Sequence, residues 1–239
     1  MKKILLLLTG IIFASHSLAE SNVNQDDPWE SWNRKVFVFN DTLDTYALKP
    51  IAKGYRAVTP DPVETSISRV FSNLGEVITV VNDLLQGKLS QAANDTGRVL
   101  INSTFGLAGI FEVADGMGLE KSYGEDFDQT LAVWGVGQGN YLILPFLGPS
   151  SVRGVPGKFA DSFVNPIGYV DHVPTRNTLY GTELISMRAD LLDIEKLASG
   201  DKYTFMRDVY LQRREFLIND GDVEDDFGGY GDEYQDEEY

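Results

Sequence analysis

The 239-residue chain contains no cysteine. This absence excludes disulfide bonds, thiolate zinc sites, iron–sulfur ligation, a cysteine nucleophile and any lipid attached through a cysteine sulfur. A chain of this length buries a full core without such cross-links. We therefore expect packing alone to stabilise the fold.

Basic residues are also scarce: 20 lysines and arginines stand against 36 acidic residues, a formal charge of −16. Nucleic-acid binding requires a lysine- and arginine-rich surface, so no nucleic-acid partner is predicted. Ten of the acids and no base lie in residues 220–239. We predict a disordered, solvated acidic tail over residues 222–239, with a docking strip for a basic partner as the alternative.

The first residues have the pattern of an export signal. Lys2 and Lys3 precede an apolar stretch over residues 4–13, and Ser17 and Ala19 provide small residues for cleavage. The apolar stretch is about half the ~20 residues that a membrane-spanning helix needs. We predict a signal peptide over residues 1–19, cleavage after Ala19 and a short N-terminal segment over residues 20–26, outside the cytoplasm.

Histidine is nearly absent once the signal, with His16, is removed, which leaves His172. Its neighbour Asp171 points the other way in most backbones, so no catalytic triad is indicated, and we expect an exposed loop histidine. No nucleophile elbow, zinc-protease, Walker or Rossmann pattern occurs. We expect a solvated turn or helix start at three clustered acids: Glu125, Asp126 and Asp128. The chain is therefore predicted to be no enzyme, with no catalytic residues, metal or cofactor.

Helical spacing dominates the remaining sequence. The first helix is predicted to start with Asp27 as N-cap, Pro28 in the first turn and Glu30 completing a capping box. Its apolar stripe is strongly aromatic, being formed by Trp29, Trp32, Val36, Phe39 and Leu43. Core packing explains such a stripe, and a membrane interface, where tryptophan is enriched, is the alternative.

Further helices follow a linker that is predicted from Pro50, Pro60 and Pro62. The clearest helix keeps a spacing of three and four residues from Ile67 to Leu85 and ends at Gly87. Others are predicted from Leu89, around residues 184–194, and from Asp201 as N-cap. Strand-type alternation is nearly absent, so the prediction is a single all-α domain.

Two uncharged runs, residues 99–111 and residues 129–152, interrupt this pattern. The second contains glycines at positions 135, 137 and 139 and prolines at 145 and 149, so a continuous helix is not expected. Both runs are either buried core or apolar elements that enter one membrane leaflet.

Several ordered motifs resemble the MlaA/VacJ family of outer-membrane lipoproteins. They are Asp-Pro-Trp-Glu-Ser-Trp-Asn-Arg from residue 27, Phe-Ser-Asn-Leu from 71, Asn-Asp-Leu-Leu-Gln-Gly from 82, Gly-Leu-Ala-Gly-Ile-Phe from 106, Phe-Asp-Gln-Thr-Leu from 127, Trp-Gly-Val-Gly-Gln-Gly-Asn-Tyr from 134 and Leu-Pro-Phe-Leu-Gly-Pro-Ser from 144. The resemblance covers residues 27–221, almost the whole exported chain.

This resemblance implies a single helical, ring-like domain over residues 27–221, embedded in one leaflet of the outer membrane at its periplasmic face, with glycine-broken apolar hairpin segments. The implied function is removal of mislocalised phospholipids from the outer leaflet and their transfer to a periplasmic lipid carrier, which maintains lipid asymmetry. The implied partners are phospholipid, a trimeric porin and the carrier protein. A structural or interaction protein that keeps the fold without transport is the alternative.

By motif, the resemblance assigns a channel hairpin to Tyr141, Leu144, Pro145, Phe146, Leu147 and Gly148. It assigns a membrane-facing helix to Trp29, Trp32, Phe37 and Phe39. Two departures from the family stand out. No cysteine follows the signal, so we predict a protein without a lipid anchor, held by apolar contact and by a porin. Arg153 is followed by Gly154, where the family pattern tends to have an acidic residue.

Overall fold

The computed structural model of the chain describes residues 27–195 and 200–222. The predicted signal peptide, the segment over residues 20–26 and residues 223–239 of the predicted acidic tail lie outside the described residues.

Helices form most of the described chain. They are α1 (Glu30–Leu43), α2 (Lys49–Val58), α3 (Asp61–Gln86), α4 (Leu89–Thr104), α5 (Phe127–Val133), α6 (Gly154–Ser162), α7 (Val173–Ile194) and α8 (Lys202–Ile218), with a π-helical turn over Asp44–Leu48 and 3-10 turns over Asp115–Met117 and Pro166–Tyr169. Strands β1 (Tyr141–Leu144) and β2 (Gly148–Ser151) pair as one antiparallel hairpin. The predicted all-α class is confirmed, and the hairpin lies in the glycine-broken run.

The predicted start of α1 is wrong by two residues. The helix begins at Glu30, with Trp29 in the cap position and no side-chain cap. Asp27 and Pro28 form a turn before it, in which the Asp27 carboxylate accepts a hydrogen bond from the Trp29 amide at 2.9 Å. The same carboxylate also accepts from the side chains of Asn33 and Tyr203. Asp27 therefore ties the chain to distant elements instead of capping the helix.

The predicted linker at Pro50 is also wrong, because the π-helical turn joins α1 directly to α2. Pro50 lies in the first turn of α2, where proline's missing N–H is tolerated. The break comes later, at Thr59, whose extended backbone is the usual conformation before a proline. The end of α3 at Gly87 is as predicted, since this glycine adopts the left-handed conformation, with φ +79°, that terminates helices.

The elements contact one another in a closed circuit. From α1 the circuit passes to β1, β2, α6, α5, α3, α7 and α2, and it returns to α1 through the π-helical turn. Helix α4 packs along α3 outside this circuit, and α8 packs against β2 and α5. This order of contacts corresponds to the ring-like arrangement that the family resemblance implies.

The buried face of α3, the longest helix of the circuit, is polar. The buried residues of α3 are Asn73, Glu76, Thr79, Asn82 and Asp83, whereas its apolar Leu84 and Leu85 are exposed. The helical period was predicted correctly, but the face that it buries is the polar one. Among the described residues, most buried apolar side chains lie in two small clusters, one around Tyr141 and Ile143 and one around Ala189.

Burial in a core does not explain most apolar residues of the two uncharged runs. In the first run, Leu100, Phe105, Leu107 and Phe111 are exposed. In the second run, the inward side chains of the hairpin are buried, but many of its other apolar residues are exposed. Within residues 27–195 and 200–222, none of the helices combines the length and hydropathy needed to cross a membrane.

Candidate functional site

Helix α1 holds the β1–β2 hairpin through two asparagines. The Asn33 side-chain amide donates to the Tyr141 carbonyl at 3.0 Å, and its oxygen accepts from the Ile143 amide at 2.9 Å. Asn40 repeats the arrangement, donating to the Leu144 carbonyl at 2.9 Å and accepting from the amide that follows Pro145 at 2.9 Å. Each side chain thus pairs with the hairpin backbone as a neighbouring strand would.

The spacing of the two asparagines matches the strand. Seven residues of helix rise about 10.5 Å, and the three residues from Tyr141 to Leu144 span about 10 Å of strand. The family motif that begins at residue 27 includes Asn33, but no role was predicted for Asn33 or Asn40 from the sequence. The available signal was a pair of amides two helical turns apart in a helix otherwise rich in aromatics.

The hairpin tip carries apolar side chains into solvent. Phe146 is 75% exposed and Leu147 is 65% exposed. The Phe146 backbone has φ +65°, an uncommon conformation for a bulky residue, and Gly148 follows with φ +73°. The Phe146 ring packs edge to face on Phe39 of α1, with 5.2 Å between ring centroids. The bonds to Asn40 and this ring contact hold the tip in its strained shape.

The base of the hairpin is buried among tyrosines. Tyr141 and Ile143 point inward, as the two-residue period of a strand requires. The Tyr141 ring lies 5.7 Å from that of Tyr210 and 6.4 Å from that of Tyr203, both on α8. Burial raises the pKa of the Tyr141 hydroxyl above its ordinary value, so this group stays neutral. The hairpin therefore has a fixed base and an exposed tip.

Of the four aromatic residues predicted to face the membrane, three are exposed and one is half-buried. Trp29, Trp32 and Phe39 are exposed, and Phe39 meets the hairpin tip. Phe37 is half-buried and packs edge to face on Tyr203, with 5.8 Å between ring centroids. Phe37 thus belongs to the side of α1 that meets the core, and membrane contact of the other three stays a prediction.

A buried ion network lies at the end of β2. Arg153 pairs with Asp128 at 2.6 Å and donates to the Val136 carbonyl at 2.9 Å. Arg214 pairs with both Asp126 and Asp128 at 2.6 Å. These ion pairs offset part of the cost of burying both guanidinium groups, while Arg153 Nη2 and Arg214 Nε have no hydrogen-bond partner among the described residues. The acidic partner of Arg153 is Asp128, which lies 25 residues away in the sequence, and not the following residue, Gly154.

Of the two alternatives at the clustered acids, the helix start is correct for Asp128, which lies in the first turn of α5 and is only 5% exposed, so that a solvated turn does not describe it. Asp126 does mark a helix start, because its carboxylate accepts from the Gln129 amide at the N-terminus of α5. Burial by itself would raise the pKa of Asp126, but the Arg214 guanidinium holds that pKa below its usual value. Asp128 is a structural charge in a low-dielectric interior, where opposite charges are strongly coupled, whereas the Asp126 carboxylate is partly exposed.

His172 lies at the exposed start of α7, where its Nδ1 pairs with the Thr175 hydroxyl at 2.8 Å. Among the residues that the structure describes, no group of three or more His, Asp or Glu side chains is arranged to hold a metal ion. What the hairpin offers a ligand is an apolar tip on a rigid, hydrogen-bonded base.

Comparison with known proteins agrees with this architecture. The sequence model of the family described as MlaA lipoprotein matches residues 25–217. The chain belongs to the MlaA family. An MlaA protein of Escherichia coli K12, named intermembrane phospholipid transport system lipoprotein MlaA, is 33% identical over 92% of this chain and 89% of its own length. An uncharacterised protein of Rickettsia typhi is 38% identical over 80% of this chain and 78% of its own length.

The fold of this MlaA-family chain is also similar to a solved structure. That structure, from work on the maintenance of bacterial outer membrane lipid asymmetry, matches with a TM-score of 0.71 and 34% identity, covering 82% of this chain and 100% of its own. The sequence-based recognition of the family is confirmed.

Proposed function

We propose that the chain removes mislocalised phospholipids from the outer leaflet of the outer membrane and passes them to a periplasmic lipid carrier. The observation that carries this proposal is the inverted distribution of side chains, with acids, amides and arginines buried and large apolar residues exposed. Such a surface is costly in water and favourable in acyl chains. The name of the Escherichia coli relative supports the same function.

The exposed aromatic residues support insertion into one leaflet at the periplasmic face. Trp29 and Trp32 suit the headgroup level, where indole rings are enriched. Phe146 and Leu147 at the hairpin tip suit the hydrocarbon below it. Burial of apolar surface at ~25 cal/mol per Å² provides an anchor without a lipidated cysteine. A trimeric porin that covers part of the remaining apolar surface completes the proposal.

The hairpin is proposed to frame the lipid path. Exposed backbone in an apolar medium is tolerated only where its polar groups are satisfied by protein. Asn40 satisfies the carbonyl of Leu144 and the amide of Phe146 on either side of Pro145. The tip, with Leu147 and Gly148, is thus prepared for contact with acyl chains. Transport of this kind requires a path that shields headgroup and tails in turn, and no catalysis.

The function is tested with the mature protein purified in mild detergent. We expect phospholipid to co-purify, and we expect Phe146→Asp to slow transfer to the carrier several-fold, because it places a charge in the apolar path. Phe159→Asp is the matched control, since this phenylalanine is also exposed, at 66%, but lies on α6.

Two outcomes would count against the proposal. Absence of bound phospholipid together with unaffected transfer in Phe146→Asp would favour the alternative, a structural protein without transport. Equal slowing by both substitutions would show that the hairpin has no specific role in the path.

A further inference from the structure

A narrow crevice opens between α3, α4 and the loop that follows α4. Its volume is about 20 Å³, which is room for one water-sized group. Asn73 and Glu76 from α3 and Arg98 from α4 form its buried wall, and Arg69 and Lys121 lie along its more exposed part. None of these residues belongs to the hairpin site described above.

The wall of the crevice presents two unused acceptors. Asn73 is 6% exposed and Glu76 is 7% exposed. The Asn73 amide donates to Ser103 at 2.9 Å, and one Glu76 oxygen accepts from Arg98 at 2.8 Å. The Asn73 side-chain oxygen and the second Glu76 oxygen have no hydrogen-bond partner among the described residues. A ligand that fits must be small and must donate hydrogen bonds.

Charge in the crevice is arranged in layers. At depth, the Arg98 guanidinium pairs with Glu76 at 2.8 Å and with Glu112 at 2.6 Å. Glu112 also lies 3.9 Å from the Arg69 guanidinium, so that Glu76 is the carboxylate with an unpaired oxygen. Burial raises the pKa of Glu76, so a further cation beside it stabilises the ionised carboxylate. Nearer the surface are two cations, Arg69, whose side chain is 44% exposed, and Lys121, which donates to Ser72 at 2.7 Å. A primary ammonium suits the depth and a phosphate suits the surface.

Apolar side chains stand beside the crevice on a tightly held loop. Gly109 packs on Asn73 with φ +96°, and a Cβ at this glycine would lie 2.7 Å from that of Asn73. Leu107 precedes it in a left-handed conformation, with φ 52°. Leu107 and Phe111 are exposed on this loop. Surface for acyl chains is therefore fixed next to the charged groups.

We propose that this crevice binds the phosphoethanolamine headgroup of a glycerophospholipid, with the ammonium between Asn73 and Glu76 and the phosphate at Arg69 and Lys121. The inference rests on the proposed transport of phospholipid and deepens it by naming the headgroup that is selected. A choline headgroup is disfavoured, because its three methyl groups remove every N–H donor and exceed a space sized for one water.

The test offers the mature protein two lipids in mixed detergent micelles. Phosphatidylethanolamine and phosphatidylcholine with identical acyl chains are present in equal amounts, and the lipid retained after re-isolation is measured by mass spectrometry. We expect about tenfold enrichment of phosphatidylethanolamine, the change that corresponds to one charge-assisted hydrogen bond. Free O-phosphoethanolamine at the same concentration should not displace it, because the free compound lacks acyl chains.

Variants separate the two ends of the site. Glu76→Gln should abolish the enrichment, whereas Arg69→Gln combined with Lys121→Gln should reduce retention of both lipids several-fold. Lys53→Gln, an exposed lysine on α2, is the control that should change neither. If Glu76→Gln fails to fold, which its thermal transition would reveal, the wild-type enrichment and the double variant still decide the question.

The outcomes distinguish the inference from the function on which it rests. Equal retention of the two lipids by the wild type would overturn the headgroup site and leave phospholipid binding intact. Retention of neither would overturn both. Displacement by free O-phosphoethanolamine would overturn the lipid as the source of the headgroup.

Discussion

Asn40 links a helix to the hairpin tip with one short side chain, which both donates and accepts. Asn33, which is fully buried, likewise donates to and accepts from the backbone at the other end of β1. Hydrogen bonds of this kind contribute about 1 kcal/mol each to stability, and the loss of one partner costs more when the other stays buried. The two asparagines therefore differ in what their removal should do.

We expect Asn40→Ala to free the tip with little effect on the whole fold. The free energy of unfolding should fall by about 1 kcal/mol, and amide exchange at Leu144, Phe146 and Leu147 should accelerate, as measured by hydrogen–deuterium exchange. Asn33→Ala should cost about 2–3 kcal/mol, because two buried backbone groups lose their partner. Unchanged exchange at the tip in Asn40→Ala would show that the Phe39 contact alone holds it.

Gly157 and Gly181 provide a matched pair of single-residue tests of packing. A Cβ at Gly157 would lie 2.8 Å from the backbone nitrogen of Asp128, whereas a Cβ at Gly181 meets nothing within 4 Å. Gly157→Ala should destabilise the protein by about 1–3 kcal/mol through overpacking of α6 on α5. Gly181→Ala, inside α7, should stabilise it by about 0.5–1 kcal/mol. Thermal unfolding of both variants measures the difference, and shifts of the same sign would contradict the packing argument.

At the scale of elements, the apolar periodicity predicted where the helices lie but not which face of each helix is buried. The end of α3 at Gly87 and the cap of α8 at Asp201 were readable, because their chemistry is local. The buried face of α3 was not readable, since a hydrophobic stripe predicts an interior only when water is outside. The hairpin was assigned to a channel by resemblance but not predicted as strands, because four-residue strands held by Asn33 and Asn40 depend on tertiary contacts.

Asp83 makes the buried face of α3 sensitive to pH. Burial, together with the nearby carboxylates of Asp95 and Glu125, raises its pKa to about 7. The unfolded chain loses this proton near pH 4, so the folded state holds an extra proton between about pH 4 and 7. The contribution of Asp83 to stability is therefore present at low pH and is lost as pH rises through its folded pKa.

The expected result is that Asp83→Asn flattens the pH dependence of stability. Urea denaturation between pH 5 and 8 should show the wild type losing stability with rising pH, and at pH 8 the variant should be more stable by about 1–3 kcal/mol. Asp115→Asn, at an exposed acid, is the control and should behave as the wild type does. A wild-type stability that is constant over this range would contradict the assignment.

At the scale of the molecule, the closed circuit of elements and the inverted distribution of side chains belong together, with polar side chains inside the packed elements and apolar side chains outside. Buried charges pair across elements, as in the network of Arg153, Arg214 and Asp128. The apolar groups are left for a medium other than water. Length, charge and the absence of cysteine did not indicate this arrangement, because composition records how many apolar residues exist and not which way they face. Only the family resemblance, which rests on the sequence motifs, implied it.

Apolar anchoring predicts membrane binding that resists salt. The mature protein should float with phospholipid vesicles equally at 0.1 and 1 M salt, because the Debye length falls from about 10 Å to 3 Å without affecting apolar contact. Trp32→Ser combined with Leu147→Ser should lower the partition coefficient at least about tenfold, since each side chain loses more than ~1 kcal/mol of burial. Release of the wild type at high salt would instead indicate that charged groups hold it, and the exposed aromatic face of α1 would then need another partner.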